Sequence, residues 1–101
     1  GLGYGLSEEI LVDEKTGRTL NDNLLDYKIP TAMDTPDLHV EFIQLDDPTG
    51  PYGNKSLGEP PAIPVAPALR NAVFNATGVA VDSLPLDPQK LTAHFKNAGL
   101  I

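Results

Sequence analysis

Glu59 is the side chain best placed in this sequence to move a proton. It follows Gly58 and precedes Pro60-Pro61, at the end of a loop that runs Gly53-Asn-Lys-Ser-Leu-Gly-Glu-Pro-Pro61. Each proline locks φ, so a carboxylate beside the pair has little conformational freedom left to lose. A helix is predicted directly after it, and the first turn of a helix carries unpaired N–H groups and a partial positive charge that favour an ionised carboxylate. A general base needs both properties. The plainer reading is a surface loop whose glutamate caps that helix.

Other residues capable of chemistry are less well arranged. Lys55-Ser56 lies between glycines but follows Gly53 by only two positions, so the phosphate-binding pattern of Gly, four residues and Gly-Lys-Ser/Thr is absent. Gly1, Gly3 and Gly5 lack the preceding strand and the spacing of a dinucleotide fingerprint. His39 and His94 are far apart and there is no cysteine, so the side chains offer no metal-ligand set. Asp13-Glu14 and Asp46-Asp47 read as turn residues without calcium-loop spacing. Ser7, Ser56 and Ser83 have no ordered His and Asp partners. Tyr4, Tyr27 and Tyr52 read as packing residues with a hydrogen-bonding tip.

The elements that position these residues follow from pattern. Alternate glycines from Gly1 to Gly5 start a helix poorly, but suit a backbone that passes close to another surface, as at the end of a tightly packed helix. Ile10-Leu11-Val12 and Arg18-Thr19-Leu20 predict a β-hairpin around Asp13–Gly17, with Gly17 at positive φ. Asn21 to Pro36 is polar and proline-punctuated, an ordered but wandering connection. His39–Leu45 reads as the longer strand, with Val40, Phe42 and Gln44 on one face and His39, Glu41, Ile43 and Leu45 on the other.

Two helices are predicted to close the chain. The first runs from near Pro61 to Thr77, with Pro64 and Pro67 delaying its first turn and Gly78 as its stop. Its inner stripe is Ala66, Leu69, Val73 and Ala76. The second has Asp87 as N-cap, Pro88 at its first position, Leu91 and Phe95 on one face and Gly99 past its end. The predicted fold class is therefore α+β: a hairpin, one longer strand and two C-terminal helices in a single unit over 1–101.

Composition narrows the partners. The 101 residues suffice for one domain with a modest core, and 10 prolines with 9 glycines imply many turns. A net charge of -7 repels phosphate, which argues against nucleic acid. There is no basic amphipathic stretch for a membrane surface and no apolar run near the roughly 18 residues that cross a bilayer. The absence of Cys removes disulfides, thiolate metal sites and a Cys nucleophile, and fits a cytoplasmic location. With no initiating Met and no charged leader at Gly1, the sequence reads as a piece cut from something larger.

Taken in order, the segments resemble a known family. Gly1-Leu-Gly-Tyr-Gly-Leu-Ser-Glu-Glu9 resembles the glycine-spaced helix end in the large subunit of the xanthine oxidase and aldehyde oxidoreductase family of molybdenum hydroxylases. Asp26-Tyr-Lys-Ile-Pro-Thr31 followed by Asp34-Thr-Pro36 is similar to the Tyr-Lys-Ile-Pro segment of that family. Gly50-Pro-Tyr-Gly53, Lys55 and Gly58-Glu-Pro-Pro61 resemble its loop that ends in a catalytic glutamate. Ala68–Val73 and Leu84–Leu91 are similar to its last helices. The resemblance covers nearly the whole chain, in order.

The resemblance implies that the chain is the C-terminal part of a molybdopterin-binding subunit of several hundred residues. Its cofactor would be molybdenum-molybdopterin, in bacteria often the cytosine dinucleotide form. The glutamate matching Glu59 would take the proton from a Mo–OH group, so that the oxygen attacks an electron-poor carbon of a purine, another N-heterocycle or an aldehyde. Electrons would leave through iron–sulfur clusters and FAD on other subunits or domains. Lys55, Ser56, Leu57 and Gly58 match the loop beside the cofactor and would act through backbone N–H groups. Ser56 stands where the family commonly has a smaller residue. Further cofactor contacts and most of the substrate pocket would lie upstream of Gly1. The isolated chain is expected to carry no cofactor and no activity. The alternative reading is a stand-alone, non-catalytic interaction or assembly module derived from this domain. The reading frame upstream of Gly1 separates the two.

Overall fold

Three helices and two single 3-10 turns are all the regular structure that the sequence forms, in a computed structural model that describes residues 1–101. Helix α1 is Leu2–Leu6, α2 is Val65–Thr77 and α3 is Pro88–Asn97, with 3-10 turns at Pro51–Gly53 and Pro60–Ala62.

The α1–α2 contact is the heart of the fold, and glycine makes it possible. A Cβ on Gly5 would stand 2.6 Å from Leu69 Cδ1, and one on Gly1 2.8 Å from Val65 Cγ2. The two helix backbones approach because nothing projects between them, which outweighs the poor helix propensity of glycine. The segment after α2 then closes over the contact. The Leu86 N–H donates to Gly5 O at 2.7 Å, and Arg70 Nε donates to Val81 O at 3.1 Å. Val81, Leu86 and Ala66 form the buried apolar centre.

The C-terminal helices match their sequence signals. Gly78 ends α2 in the left-handed region at φ 72°, its N–H donating to Phe74 O at 2.7 Å. The Asp87 carboxylate accepts the N–H groups of Gln89 and Lys90, each at 2.9 Å, and Pro88 occupies the first position of α3. The start of α2 comes later than Pro61: the proline-rich run first makes the 3-10 turn at Pro60–Ala62, and the α-helix opens at Val65.

The α+β expectation is overturned, because the chain contains no β-sheet. The hairpin shrinks to one antiparallel bridge between Val12 and Thr19. Its turn forms as expected, with Gly17 at φ 71°. The ladder stops because Asn21, a buried polar residue, takes the place of the next rung: its Oδ1 accepts Leu11 N–H at 2.9 Å and its Nδ2 donates to Glu9 O at 2.6 Å. The predicted longer strand, His39–Leu45, has no secondary structure, since nothing in the chain lies beside it to share a ladder.

The resulting shape is open. Only 7 of 101 residues are buried, and the radius of gyration is 18.3 Å. A compact chain of this length has a radius near ~13 Å.

Candidate functional site

The loop leading to Glu59 begins in a closed turn. The Asp47 N–H donates to Gly53 O, Gly50 N–H to Asp47 O and Gly53 N–H to Gly50 O, each at 3.1 Å. Asp47 Oδ1 accepts the Thr49 hydroxyl at 2.7 Å and the Thr49 N–H at 2.9 Å. These bonds, the hydroxyl's first, hold the Asp47 carboxyl below its ordinary pKa. A side chain at Gly50 would collide with the carbonyl oxygen of Asn54, so the turn closes only around glycine. Tyr52, at φ 57°, lies in the left-handed region that side chains seldom adopt, and its ring is fully exposed.

Beyond Asn54 the character changes. No backbone N–H from Lys55 to Glu59 donates a hydrogen bond within the chain, and none of their side chains makes one. Lys55, Ser56, Leu57, Gly58 and Glu59 are all exposed. Glu59 caps the 3-10 turn Pro60–Ala62 through its backbone only: its carbonyl accepts Ala62 N–H at 2.9 Å, and its carboxylate caps nothing. The sequence pattern predicts this carboxylate at the mouth of the long helix. The structure instead puts the 3-10 turn and Ile63-Pro64 between them. The carboxylate keeps only the conformational restriction that Pro60 and Pro61 impose on the neighbouring backbone.

The five candidate residues are thus adjacent along the chain, and no other residue of it converges on them. The larger clefts lie elsewhere. One of about 600 Å³ is lined by Gly1, Tyr4, Glu8, Glu9, Ile10, Tyr27, Leu84 and Pro85. Within it the Tyr27 hydroxyl donates to Glu8 Oε2 at 2.7 Å, and that carboxylate raises the phenol's pKa. Lys90 Nζ reaches both carboxylate oxygens of Glu9 at 2.9 Å and the Leu84 carbonyl at 3.2 Å. Sequence reasoning found the hydrogen-bonding tip of Tyr27. It missed the Lys90–Glu9 pair, because residues 81 positions apart leave no local signal.

The donor set of the loop suits an anionic, oxygen-rich group. Consecutive backbone N–H groups beside a lysine ammonium have the chemistry of an anion cradle, and a Cβ at Gly58 would meet nothing within 4 Å, so the backbone there is open to approach. Residues 1–36 match the protein-family model described as a molybdopterin cofactor-binding domain. Over its full 101 residues the sequence is 54% identical to the xanthine dehydrogenase molybdenum-binding subunit of Escherichia coli, of which it covers 13%. Along its whole length the chain is similar to one segment of these molybdenum-binding subunits.

More distant relatives agree. Over 92 residues, 90% of this chain, it is 37% identical to the aldehyde oxidoreductase molybdenum-binding subunit of Escherichia coli, covering 13% of that protein. Over 95 residues, again 90% of the chain, it is 34% identical to the gamma subunit of the 6-hydroxypseudooxynicotine dehydrogenase complex of Paenarthrobacter nicotinovorans, covering 12% of it. The chain therefore spans about an eighth of the length of the curated relatives it matches, 13% or 12% in these three. No helix is long and apolar enough to cross a membrane.

Proposed function

We propose that this chain is the C-terminal part of the molybdenum-binding subunit of a molybdenum hydroxylase of the xanthine dehydrogenase and aldehyde oxidoreductase type. The observation that carries the reading is the 54% identity to a xanthine dehydrogenase molybdenum-binding subunit along the entire chain. The substrate class is a purine, another N-heterocycle or an aldehyde. A carbon–hydrogen bond becomes a carbon–oxygen bond, with oxygen from water and the release of two electrons and two protons. When bound, a molybdenum-molybdopterin cofactor, in its cytosine dinucleotide form, supplies the oxygen-transfer and two-electron chemistry. Iron–sulfur and FAD domains or subunits take the electrons onward.

In this reading the work of the chain is done by its open loop. The unpaired backbone N–H groups of Lys55, Ser56, Leu57 and Gly58 hold anionic oxygens of the cofactor, with the Lys55 ammonium adding a positive charge. Glu59 is the general base, accepting one proton on a carboxylate oxygen and releasing it to solvent after turnover. Pro60 and Pro61 limit how far that carboxylate can swing. The isolated chain has no turnover, since a base without the rest of the site has nothing to deprotonate.

Replacing Glu59 with Gln in the complete enzyme tests the assignment. Glutamine keeps the shape of the side chain and loses its basicity, so turnover collapses while molybdenum and pterin content stay at wild-type levels. Substrate oxidation retained in Glu59→Gln would overturn the role of Glu59.

A further inference from the structure

Between Pro36 and Asp46 the backbone forms no hydrogen bond of any kind within the chain, through either N–H or C=O. Water satisfies these groups only while the segment is exposed. Yet the side chains are those of a buried segment: five of the eight residues from Leu38 to Leu45 are apolar. Phe42 is 84% exposed and Ile43 90%. A linker that stays in water is polar, whereas a contiguous exposed apolar patch marks a binding surface.

The segment is already extended. His39 Nε2 lies 3.0 Å from Glu41 Oε1, a contact between residues two apart that share a side only in extended backbone. That alternation separates two faces. Leu38, Val40 and Phe42 line an apolar one, while His39 and Glu41 lead into Ile43 and Leu45 on the other.

We propose that residues 37–45 dock, in this extended form, onto the remainder of the same molybdenum-binding subunit, which supplies partners for the main-chain N–H and C=O groups and an apolar cover for Leu38, Val40 and Phe42. The occupant follows from length: the chain accounts for 13% of a relative that it matches from end to end. The other 87% is covalently joined in such a subunit, so docking is intramolecular and the effective concentration of the partner surface far exceeds that of any free protein. The inference rests on the reading of this chain as part of a larger subunit, and is independent of Glu59.

Hydrogen exchange on the complete, purified subunit, resolved to peptides within 37–45, tests the proposal. The expected result is exchange at least about 100-fold slower than for an unstructured peptide, unchanged on dilution and present without other subunits. Replacing Phe42 with Asp should then speed exchange across the segment by at least about tenfold. Exchange at the unstructured rate would overturn the proposal. So would protection that fades on dilution, which marks a second copy, or protection that appears only when other subunits are added. Measuring turnover and molybdenum content in Glu59→Gln separately keeps the outcomes distinct, because an unprotected segment in an enzyme that still needs Glu59 refutes the docking alone.

Discussion

The helical nucleus and the open middle of this chain solve opposite problems. In the nucleus, Gly5 lies against Leu69, Leu86 hydrogen-bonds to Gly5, and Val81 is 2% exposed. In the middle, from Pro36 to Glu59, the one closed feature is the Asp47–Gly53 turn, and apolar side chains face water on either side of it. The nucleus hydrogen-bonds its own backbone and buries a small apolar centre at Ala66, Val81 and Leu86. The middle does neither, and it carries the candidate base. On the proposed reading, stability and chemistry fall in different stretches of one sequence, the second completed by the rest of the subunit.

Substitutions in the two regions should therefore separate cleanly. The largest effect belongs to the middle: Glu59→Gln in the complete enzyme should lower kcat on the order of 10²- to 10⁴-fold, the usual contribution of a general base, without changing the unfolding midpoint. Steady-state kinetics alongside thermal unfolding reads both. A shift in stability comparable with one in the nucleus would blur the division. In the nucleus, Gly5→Val forces a branched side chain into the space of Leu69 and should cost about 1–3 kcal/mol, seen as a lower midpoint in urea. Asp87→Ala removes the acceptor of two N–H groups at the start of α3 and should cost about 1 kcal/mol by the same measurement.

The smallest effect is a titration. Glu8 raises the pKa of Tyr27 above the ordinary 10.0, chiefly by accepting its hydroxyl hydrogen. Because the folded value is the higher one, the contribution of this bond is complete below pH ~10, the unfolded value. It is lost as pH rises through the folded pKa. Phenolate absorbance of Glu8→Gln against the parent chain should show one tyrosine ionising earlier in the variant. Identical curves would remove Glu8 as the cause.

The same division explains what could be read in advance. Asp87-Pro88 and Gly99 around α3, and Gly78 after α2, announce themselves because a cap is a contact between residues a few positions apart. The glycines of α1 pointed to a close approach without saying to what; that required Leu69, more than sixty positions away. The hairpin turn was legible in Asp13–Gly17, but Asn21 ending the ladder was not, since an asparagine after a strand reads as a turn residue. His39–Leu45 has the alternation of a strand, and alternation reports which faces are apolar without providing a neighbour to pair with. Glu59 and its prolines were visible as a motif. Its distance from α2 was not, because the sequence does not say how many residues a proline-rich run spends before an α-helix begins.

The bonds from Leu86 to Gly5 and from Lys90 to Glu9 have a further consequence. They join the beginning of the sequence to its end, and with α2 packed on α1 the stretch between Pro36 and Glu59 is left as one long closed excursion. The entropy of closing such an excursion grows only logarithmically, by about 0.6 kcal/mol for each doubling of its length. Insertions or deletions between residues 46 and 54, outside the docking segment and the loop that leads to Glu59, therefore place little load on the fastening.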